Sequence, residues 1–418
     1  MSDPRLDQSA PSLDSSSDQG SRRARPIQSG RYPAKELCSQ CGFCDTYHVA
    51  DVKEACAFLH QQFDSLEQQV HGRSREQQAA SPHSSPTDTD YFGIHQAMYT
   101  ARRRDPIEGS QWTGIVSSIG MKALATGLVD GVICVQADEH DRFTPRPILA
   151  RTPEQVLAAR VNKPTLSPNL SVLEEVEASG CKRLLVIGVG CQIQALRAVE
   201  KKLGLEELYV LGTPCVDNVS RAGLQTFLET TSRSPETVVQ YEFMQDFRVH
   251  FKHEDGSVET VPFFGLKTNQ LKDVFAPSCL SCFDYVNGLA DLVVGYMGSP
   301  MGWQWLVVRN DRGQALLDLV MDELETQPVI SQGNRHQAVQ QGIAAYDQAM
   351  TLPMWVAQML GVVIERIGPK GLEYGRFSID SHFTRNYLYV KRNHPEKLPD
   401  HVPGFAQRIV EQYQLPKS

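Results

Sequence analysis

Three cysteines at two-residue spacings, Cys38, Cys41 and Cys44, constrain the N-terminal part of the chain more than any other feature. Each short spacer lets the backbone curl, so that all three thiolates can reach one metal centre. The spacing is that of the bacterial ferredoxin run up to its third cysteine, where a fourth follows after three more residues. Here the next cysteine is Cys56, after eleven intervening residues, within a helical pattern over 51–59. The four residues predict an iron–sulfur cluster.

Two other interpretations of these thiols stay open at this point. A structural zinc site favours two well-separated cysteine pairs over a triplet. Buried structural thiols are the other interpretation. Disulfides are not expected, because the N-terminus has no apolar secretory segment and thiols stay reduced in the cytosol. The formal charge of −8 also gives no general attraction to nucleic acid, although Arg102–Arg104 could form a local basic patch or a solvated turn.

Four further cysteines are dispersed along the chain. Cys279 and Cys282 form a second pair with a two-residue spacer, whereas Cys191 and Cys215 are single residues just beyond predicted strands. The carboxyl ends of neighbouring parallel strands converge on one edge of a sheet, so these two thiols can meet there. The four together predict a second cysteine site. Two others, in or beside apolar strands, are interpreted as core thiols: Cys134 and Cys181.

Apolar runs and helical patterns alternate between residues 112 and 211, which is the rhythm of an α/β domain with a largely parallel sheet. Residues 238–262 differ, since apolar stretches at 241–251 and 258–262 flank the turn Glu254–Gly256 and predict an antiparallel hairpin. The predicted class is therefore α/β, α+β overall. It has a mixed sheet core, helices on both faces and a small N-terminal ferredoxin-like segment.

Two glycine-containing turns have the strand–turn–helix order of phosphate sites. Gly188 and Gly190 lie between an apolar strand and a helix, and Gly109 and Gly114 lead into another helix. Backbone N–H groups at such a helix start favour a phosphate. Neither turn matches the dinucleotide or P-loop spacing, and tight turns explain many such glycines. Beside a one-electron cluster, however, a flavin would convert single electrons into a two-electron reduction.

Longer motifs resemble a known family. They are YPAKELCSQCGFCDTY, VKEACAFL, QWTGIVSSI, NKPTLSPN, GVGCQIQALR, GTPCVDN and PSCLSCFDYVNGLADLVVGYMG. They are similar to motifs of the beta-subunit family of deazaflavin-reducing hydrogenases, over roughly residues 31–415. The closest resemblance is to the branch that acts on chlorophyll pigments, whose members reduce divinyl chlorophyllide at its 8-vinyl group or 7-hydroxymethyl chlorophyll a. The direct junction of YMGSP with MGWQWLVVRN resembles the vinyl reductases.

The resemblance implies two 4Fe-4S clusters and an FAD. The implied metal ligands, whose exact division between the clusters stays open, are Cys38, Cys41, Cys44, Cys56, Cys191, Cys215, Cys279 and Cys282. The implied flavin-binding residues, taken with the glycine turn described above, are Thr113, Gly114, Asn162, Lys163, Gly188 and Gly190. No catalytic residue is assigned, although four side chains near these segments are candidate proton donors: Asp45, His48, Asp217 and Asp284.

The resemblance also implies reduced ferredoxin as electron donor and a chlorophyll-type pigment as substrate, with at most peripheral membrane contact. The expected location is the cytoplasm, either cyanobacterial cytosol or thylakoid surface, or the plastid stroma in a eukaryote. Two alternatives stay open. One is an electron-transfer subunit of a deazaflavin-linked hydrogenase or dehydrogenase. The other is a zinc-stabilised binding module without catalysis.

Five segments are expected along the chain. Residues 1–30 predict a disordered tail, 31–72 the iron–sulfur segment, and 73–90 a polar linker. Residues 91–235 are expected to form an α/β flavin-binding domain. Residues 236–418 are expected to form an α+β domain with the second cysteine cluster and the pigment-pocket elements. Within it, the run 354–368 could line a pigment slot with Trp303 and Trp305, although a buried amphipathic helix is its ordinary interpretation.

Overall fold

The computed structural model describes residues 32–271, 273–340, 352–413 and 415, so the tail predicted for residues 1–30 lies outside the described residues. Its strands are β1 (Ala97–Arg103), β2 (Gly131–Ala137), β3 (Pro145–Ala150), β4 (Arg183–Gly188), β5 (Glu207–Gly212), β6 (Val238–Phe243), β7 (Arg248–His253), β8 (Val258–Pro262), β9 (Leu292–Gly295), β10 (Gln304–Val308), β11 (Leu324–Gln327), β12 (Ser331–Gln332) and β13 (Lys370–Gly371).

The α-helices with both ends inside these residues are α1 (Val52–Ala55), α2 (Phe63–His71), α3 (Arg75–Gln78), α4 (Asp88–Phe92), α5 (Ile115–Ala125), α6 (Pro153–Ala158), α7 (Leu173–Ala178), α8 (Gly190–Val199), α9 (Arg221–Thr231), α10 (Asp311–Asp318), α11 (Met354–Ile367), α12 (Leu372–Asn393), α13 (Leu398–His401) and α14 (Gly404–Glu411).

An eight-stranded mixed sheet has the order β11-β1-β10-β9-β5-β4-β2-β3. Its four central strands, β9, β5, β4 and β2, are parallel. Near-continuous apolar runs such as RLLVIG in β4 suit strands that are covered on both faces. The flanking strands β3, β10, β1 and β11 are antiparallel to their neighbours. The carboxyl ends of the parallel strands therefore share one edge of the sheet.

Helices cover both faces of this sheet, because successive side chains of a strand point to opposite sides. Leu184 and Val186 of β4 pack on one face in a core shared with Ile193 of α8. Leu185 points to the other face, in a core shared with Ile119 of α5. The predicted α/β class with a mixed sheet and helices on both faces is confirmed.

The segment 238–262 forms a separate three-stranded antiparallel sheet in the order β6-β7-β8. The turn Glu254–Gly256 lies between β7 and β8, where the sequence predicted it. The stretch 241–251 is two strands instead of one, because a turn at Gln245–Phe247 divides it. Phe247 adopts a left-handed φ of 59° at that turn. A glycine at this position would have marked the turn in the sequence, but a phenylalanine rarely adopts a left-handed conformation and so gave no such signal.

Two expectations about organisation need correction. The polar segment 73–90 is not a free linker, since it contains α3 and the start of α4 and two of its charged side chains are buried. Arg75 Nε donates to Glu67 at 2.7 Å, and Asp90 accepts from Arg408 at 2.6 Å. The boundary near residue 235 does not separate two sheets either. Strands β9, β10 and β11 belong to the same sheet as β1–β5.

The arginine run and the run 354–368 also differ from expectation. Arg102 and Arg103 end β1 and pair with Glu325 and Glu323, so they form no free basic patch. Helix α11 forms, but it buries only Ala357 and Gly361 and leaves large apolar side chains such as Trp355 exposed, at 66 %. It is therefore not the buried amphipathic helix of the ordinary interpretation. No helix among the described residues is long and apolar enough to cross a membrane.

Candidate metal centre

The first cysteine group sits on short turns. Cys38 follows a 3-10 turn at Lys35–Leu37, Cys44 lies in another at Phe43–Asp45, and Cys56 follows α1. Helix α1 is shorter than the pattern over 51–59 predicted, and it ends at Ala55 with Cys56 extended. Between the first three thiols, Gly42 has a φ of 90° and no room for a Cβ beside the Pro168 carbonyl.

The thiols of this group affect one another electrostatically. Burial raises the pKa of the Cys41 thiol, and the nearby charges of Cys56 and Cys44 raise it further. Burial also raises the pKa of Cys44 to about 12, with contributions from Cys56 and Cys38. Burial is the largest cause for all four thiols, and the charges of neighbouring thiols add to it at Cys41, Cys44 and Cys56, so the four form one group. A bound cation would relieve that repulsion.

The second group assembles at the carboxyl edge of the parallel strands. Cys191 lies in the first turn of α8 just after β4, and Cys215 lies just after the adjacent strand β5. Cys279 and Cys282 lie in and directly after the 3-10 turn Cys279–Ser281. Burial raises the pKa of Cys215, and the charges of Cys279, Cys191 and Cys282 raise it further. The structure thus brings together the pair and the two single residues.

The two groups adjoin through Cys41 and Cys191. The charge of Cys191 is among the causes that raise the pKa of Cys41. The side chain of Ser39, from the first group's loop, hydrogen-bonds Cys191. Leu170 N donates to the Cys41 carbonyl at 2.8 Å and anchors the first loop on the 168–171 segment. The eight cysteines therefore lie in two neighbouring sets.

No three His, Cys, Asp or Glu side chains in the described ranges are arranged to hold a single metal ion. Ligands of one tetrahedral ion at about 2.3 Å would have to converge closely. The thiolates of a cubane cluster bind separate irons and are spaced more widely. The two core thiols lie outside both sets. Cys134 is buried in β2, where burial raises its pKa to about 12, and Cys181 is buried just before β4.

Helix α12 supplies side chains to the second group that sequence reasoning missed. Asn386 Nδ2 donates to the carbonyl oxygens of Cys279 at 2.8 Å and Cys282 at 2.6 Å. One turn earlier, His382 Nε2 lies 3.2 Å from Asn386 Nδ2, and Arg385 binds Asp217. These residues are about one hundred positions from the cysteines they support. Their only local signal is polar side chains at helical i, i+3 and i+4 spacing in an otherwise buried helix.

Thr113 and Gly114 lie where the flavin turn was expected, at the start of α5. Thr113 Oγ1 donates to Gln304 Oε1 at 3.2 Å, and Gly114 has a φ of 85° with Ser110 Oγ too close for a Cβ. No side chain caps α5, so its first N–H groups stay available. Beside the turn, Trp112 stacks on Tyr296 with ring centroids 5.3 Å apart. Sequence reasoning did not identify this aromatic pair.

The segment of Asn162 and Lys163 adjoins that turn, because Arg160 packs where a side chain at Gly109 would lie. Asn162 is exposed. Lys163 Nζ lies within 2.8–3.1 Å of four backbone carbonyls, those of Val135, Ala159, Arg160 and Val161. Burial lowers the pKa of Lys163 to about 8. Its ammonium group therefore stabilises this turn by donating hydrogen bonds to the backbone carbonyls that surround it.

Gly188 and Gly190 lie at the other predicted turn, on the carboxyl edge of β4. The Gly188 carbonyl accepts from Asn287 Nδ2 at 2.8 Å. The start of α8 is already bonded within the chain, since Gln192 Oε1 accepts from Val189 N at 3.1 Å. Asp284 packs so closely against Gly190 that a Cβ would not fit. The carboxyl group of Asp284 thus occupies the space beside the first residue of this helix.

The candidate proton donors have different environments. Asp45 is exposed and accepts from Tyr32 at 2.9 Å, and His48 Nε2 lies 3.0 Å from Glu177, with its pKa lowered by burial. Asp284 is buried, accepts from Gly288 N at 2.8 Å and leaves Oδ2 without a partner, and burial raises its pKa. Asp217, the fourth candidate, is ion-paired with Arg385. Two of the four therefore lie beside the second cysteine group.

Comparison with known proteins agrees with this architecture. Residues 98–174 and 181–332 match the N-terminal and C-terminal family profiles described as coenzyme F420 hydrogenase/dehydrogenase, beta subunit. In solved structures, a chain of the F420-reducing [NiFe] hydrogenase complex from Methanosarcina barkeri is similar, with a TM-score of 0.52 and 29 % identity over 57 % of this chain and 84 % of that chain.

Curated relatives extend the likeness to nearly the whole chain. An uncharacterized protein of Nostoc sp. is 73 % identical over 93 % of this chain and 96 % of its own. The chloroplastic 7-hydroxymethyl chlorophyll a reductase of Oryza sativa is 51 % identical over 92 % of this chain and 84 % of its own. The coenzyme F420 hydrogenase subunit beta of Methanococcus voltae is 31 % identical over 57 % of this chain and 86 % of its own. The chain is thus related to oxidoreductases, and it belongs to the coenzyme F420 hydrogenase/dehydrogenase beta-subunit family.

Proposed function

We propose that this protein is an iron–sulfur flavoenzyme that takes electrons from reduced ferredoxin and reduces a chlorophyll-type pigment. The observation that carries the proposal is the arrangement of eight cysteines in two adjoining groups, of which the second lies at the carboxyl edge of the parallel strands. Ligand sites of open α/β sheets lie at that edge. The relative named for chlorophyll a reduction supports the pigment as substrate class.

The donor sets fit the implied cofactors. Four thiols per group match the four cysteines that a 4Fe-4S cluster binds. The uncapped start of α5 fits a phosphate of FAD, because its free N–H groups and the helix dipole favour an anion. The start of α8 fits less well, since Asp284 packs against it. Bound there, these groups would supply single-electron acceptance and two-electron delivery to the pigment.

The chain's own residues set the order of the sites. The three cysteines of the Cys38–Cys44 loop are half-buried, and the next residue, Asp45, is exposed, so we place the entry side for ferredoxin at this group. Cys41 and Cys191 bring the two groups together. The segment 161–171 then runs from Lys163, beside the α5 turn, to the Leu170 contact with Cys41. The segment 160–171 therefore connects the α5 turn with the entry group, and Cys41 and Cys191 connect the entry group with the second group.

The side chains near the α5 turn suit a flat ring. Trp112 is held in a left-handed conformation, with φ of 55°, and stacks on Tyr296 with 7° between the ring planes. Tyr296 directly follows β9 and accepts from Gln245 N at 2.5 Å. Strained residues persist where the surrounding structure holds them, often at binding sites. This pair would form one wall for the flavin or the pigment, whereas Trp305 is buried in the core and would not.

The specific reaction that we propose is reduction of the 8-vinyl group of divinyl chlorophyllide to ethyl. It is supported by the short connection between β9 and β10, where YMGSP runs directly into MGWQW. A second candidate is reduction of 7-hydroxymethyl chlorophyll a, which the 51 % identity to the rice enzyme favours. Two electrons and protons per pigment are needed in either reaction.

Anaerobic incubation with reduced ferredoxin and each pigment in parallel separates the candidates. The products are resolved chromatographically. Conversion of divinyl to monovinyl pigment is expected, and conversion of only the hydroxymethyl pigment would replace the first candidate by the second. Turnover of neither pigment, together with reduction of a deazaflavin, would instead support an electron-transfer subunit.

A further inference from the structure

Two charged side chains meet beside the second cysteine group. Asp217, two residues after Cys215, accepts two bonds from Arg385 of α12, each of 2.8 Å. Such a bidentate pair fixes the relative geometry of its members, and burial raises the pKa of Asp217 while Arg385 acts to lower it. Asp217 is the more buried partner, with 10 % of its side chain exposed against 22 % for Arg385. The carboxylate is therefore the charge held inside, next to the thiols.

The chain around Asp217 is tied directly to the thiols. The backbone N–H of Asn218 donates to Cys279 Sγ at 3.3 Å, and its Nδ2 donates to Cys215 Sγ at 3.6 Å. Asn386, the residue after Arg385, donates to the carbonyls of Cys279 and Cys282. Helix α12 thus fixes the cysteine turn through Asn386 and the carboxylate segment through Arg385.

The charges of Asp217 and Arg385 both act electrostatically on thiols of the second cysteine group. The carboxylate of Asp217 contributes to the raised pKa values of Cys215, Cys279 and Cys282, for each of which burial is the largest cause. The guanidinium of Arg385 acts on Cys279 in the opposite direction. The two partners therefore have opposing effects on the Cys279 thiol, and the effect of Asp217 extends to Cys215 and Cys282.

We propose that Asp217 and Arg385 are positioning residues that set the reduction potential of the iron–sulfur centre on the second cysteine group. This inference rests on the proposed function, since it requires that centre. One-electron reduction makes a cluster more negative by one charge. A nearby carboxylate opposes that change and a nearby guanidinium favours it, and charge and hydrogen bonding to the sulfurs are established determinants of cluster potential. Arg385 binds the carboxylate of Asp217 and partly offsets the effect of that carboxylate on the reduction potential.

The test is an anaerobic potentiometric titration of the full-length holoprotein, followed by electron paramagnetic resonance. Arg385→Gln is expected to shift the second cluster to a more negative potential, and Asp217→Asn to a more positive one. Each shift should change the reduced-to-oxidised ratio at fixed potential about tenfold, which is about 59 mV for one electron. The double variant should return close to the wild type, because both charges are removed. Arg385→Lys should restore most of the Arg385→Gln shift.

Two internal controls accompany these variants. The first cluster should keep its potential in all of them. Arg142→Gln removes an exposed arginine that pairs with Glu254 on the distant small sheet, and it should shift neither cluster.

Single variants that both leave the potential unchanged, or both shift it in the same direction, would overturn the proposal. Arg385 is partly exposed and can turn towards water, so Asp217→Asn remains measurable even where Arg385→Gln loses iron. If the reduction potential of the second cluster in Asp217→Asn is unchanged or more negative, that result by itself overturns the proposal. A wild-type protein with no second cluster signal would instead reject the proposed cofactor content, which is a separate failure.

Discussion

The role of a cysteine in this chain follows from its neighbours more than from its burial. Cys134 is buried in β2, where Lys163 is the charge that acts on it, whereas Cys191 lies among thiols of both groups. The triplet of the first group was predictable from spacing alone. Cys191 and Cys215 were predictable only through the strands that precede them. The side chains that hold Asp217 and the Cys279 turn had no comparable signal.

Serine substitutions should separate ligands from core thiols. Cys282→Ser is expected to lower the iron content of the anaerobically purified protein from about eight to about four atoms per chain, since one of two 4Fe-4S clusters loses a ligand. Iron and acid-labile sulfide analysis measures this. Cys134→Ala is the matched control, because Cys134 is buried but lies outside both groups. Equal iron loss in both variants would contradict the assignment.

His71 is expected to make the fold sensitive to acid. Its Nε2 lies 2.9 Å from the Gly288 carbonyl and its Nδ1 accepts from Asn310 Nδ2, an arrangement that requires the neutral ring. Burial lowers the pKa of His71 to about 4, against about 6.5 in the unfolded chain. The unfolded state therefore binds the proton first, and stability is lost as pH falls from about 6.5 to about 4, by up to about 3 kcal/mol.

Urea denaturation at several pH values measures this dependence. His71→Gln should flatten the profile between about pH 6.5 and pH 4, whereas the same change at the exposed His60 should leave it as in the wild type. An unchanged slope in His71→Gln would show that another group carries the acid sensitivity.

At the scale of elements, the sequence predicted the parallel strands and their helices well, because each has a long apolar or helical pattern. It missed β1, β3 and β11, which lie outside the parallel core, where polar residues break the apolar runs. The helical pattern over 315–325 predicts a single helix there, but α10 ends at Asp318 and is followed by a 3-10 turn and β11. Strand β11 pairs with β1, more than two hundred residues away, and no local pattern encodes that pairing.

The turn before α5 offers a sharp test of the flavin site. Gly114→Ala should reduce bound FAD several-fold, because an added Cβ would meet Ser110 and Ile107 and displace the helix start. Flavin absorbance per chain measures occupancy. Gly127→Ala at the other end of α5 is the matched control, since Gly127 has a similar φ of 71° but open space around it. It should cost about 1 kcal/mol of stability and keep FAD. Equal FAD loss in both variants would argue against this location.

Helix α11 should tolerate polar substitutions on its apolar outer side. Trp355→Ser and Met359→Ser are expected to change the free energy of unfolding by less than about 0.5 kcal/mol, because these side chains are 66 % and 64 % exposed. Ala357→Leu should cost about 1–3 kcal/mol, since Ala357 is fully buried. Denaturant unfolding of the holoprotein measures both. Losses of similar size in all three variants would contradict the exposed placement of α11.

At the scale of the whole molecule, the site depends on parts of the chain that are far apart in sequence. The second cysteine group combines turns after β4 and β5 with the 279–282 turn, and α12 supports it from the C-terminal region. The order β10-β9-β5 places Tyr296 near Trp112 and the α5 turn. Local sequence patterns could identify individual turns and helices of the site, but the order of the strands in the sheet determines which of them lie side by side. The same sheet joins segments on both sides of residue 235, which were expected to form two domains.

A single-turnover reaction tests the central claim most directly. The full-length holoprotein is reduced anaerobically, excess reductant is removed, and divinyl chlorophyllide is added while absorbance and products are followed. The proposed function predicts that monovinyl pigment appears as the cluster and flavin absorbance returns to the oxidised form, with two electrons lost per pigment reduced. Reoxidation without any pigment product, or a protein that holds neither iron nor flavin, would contradict it.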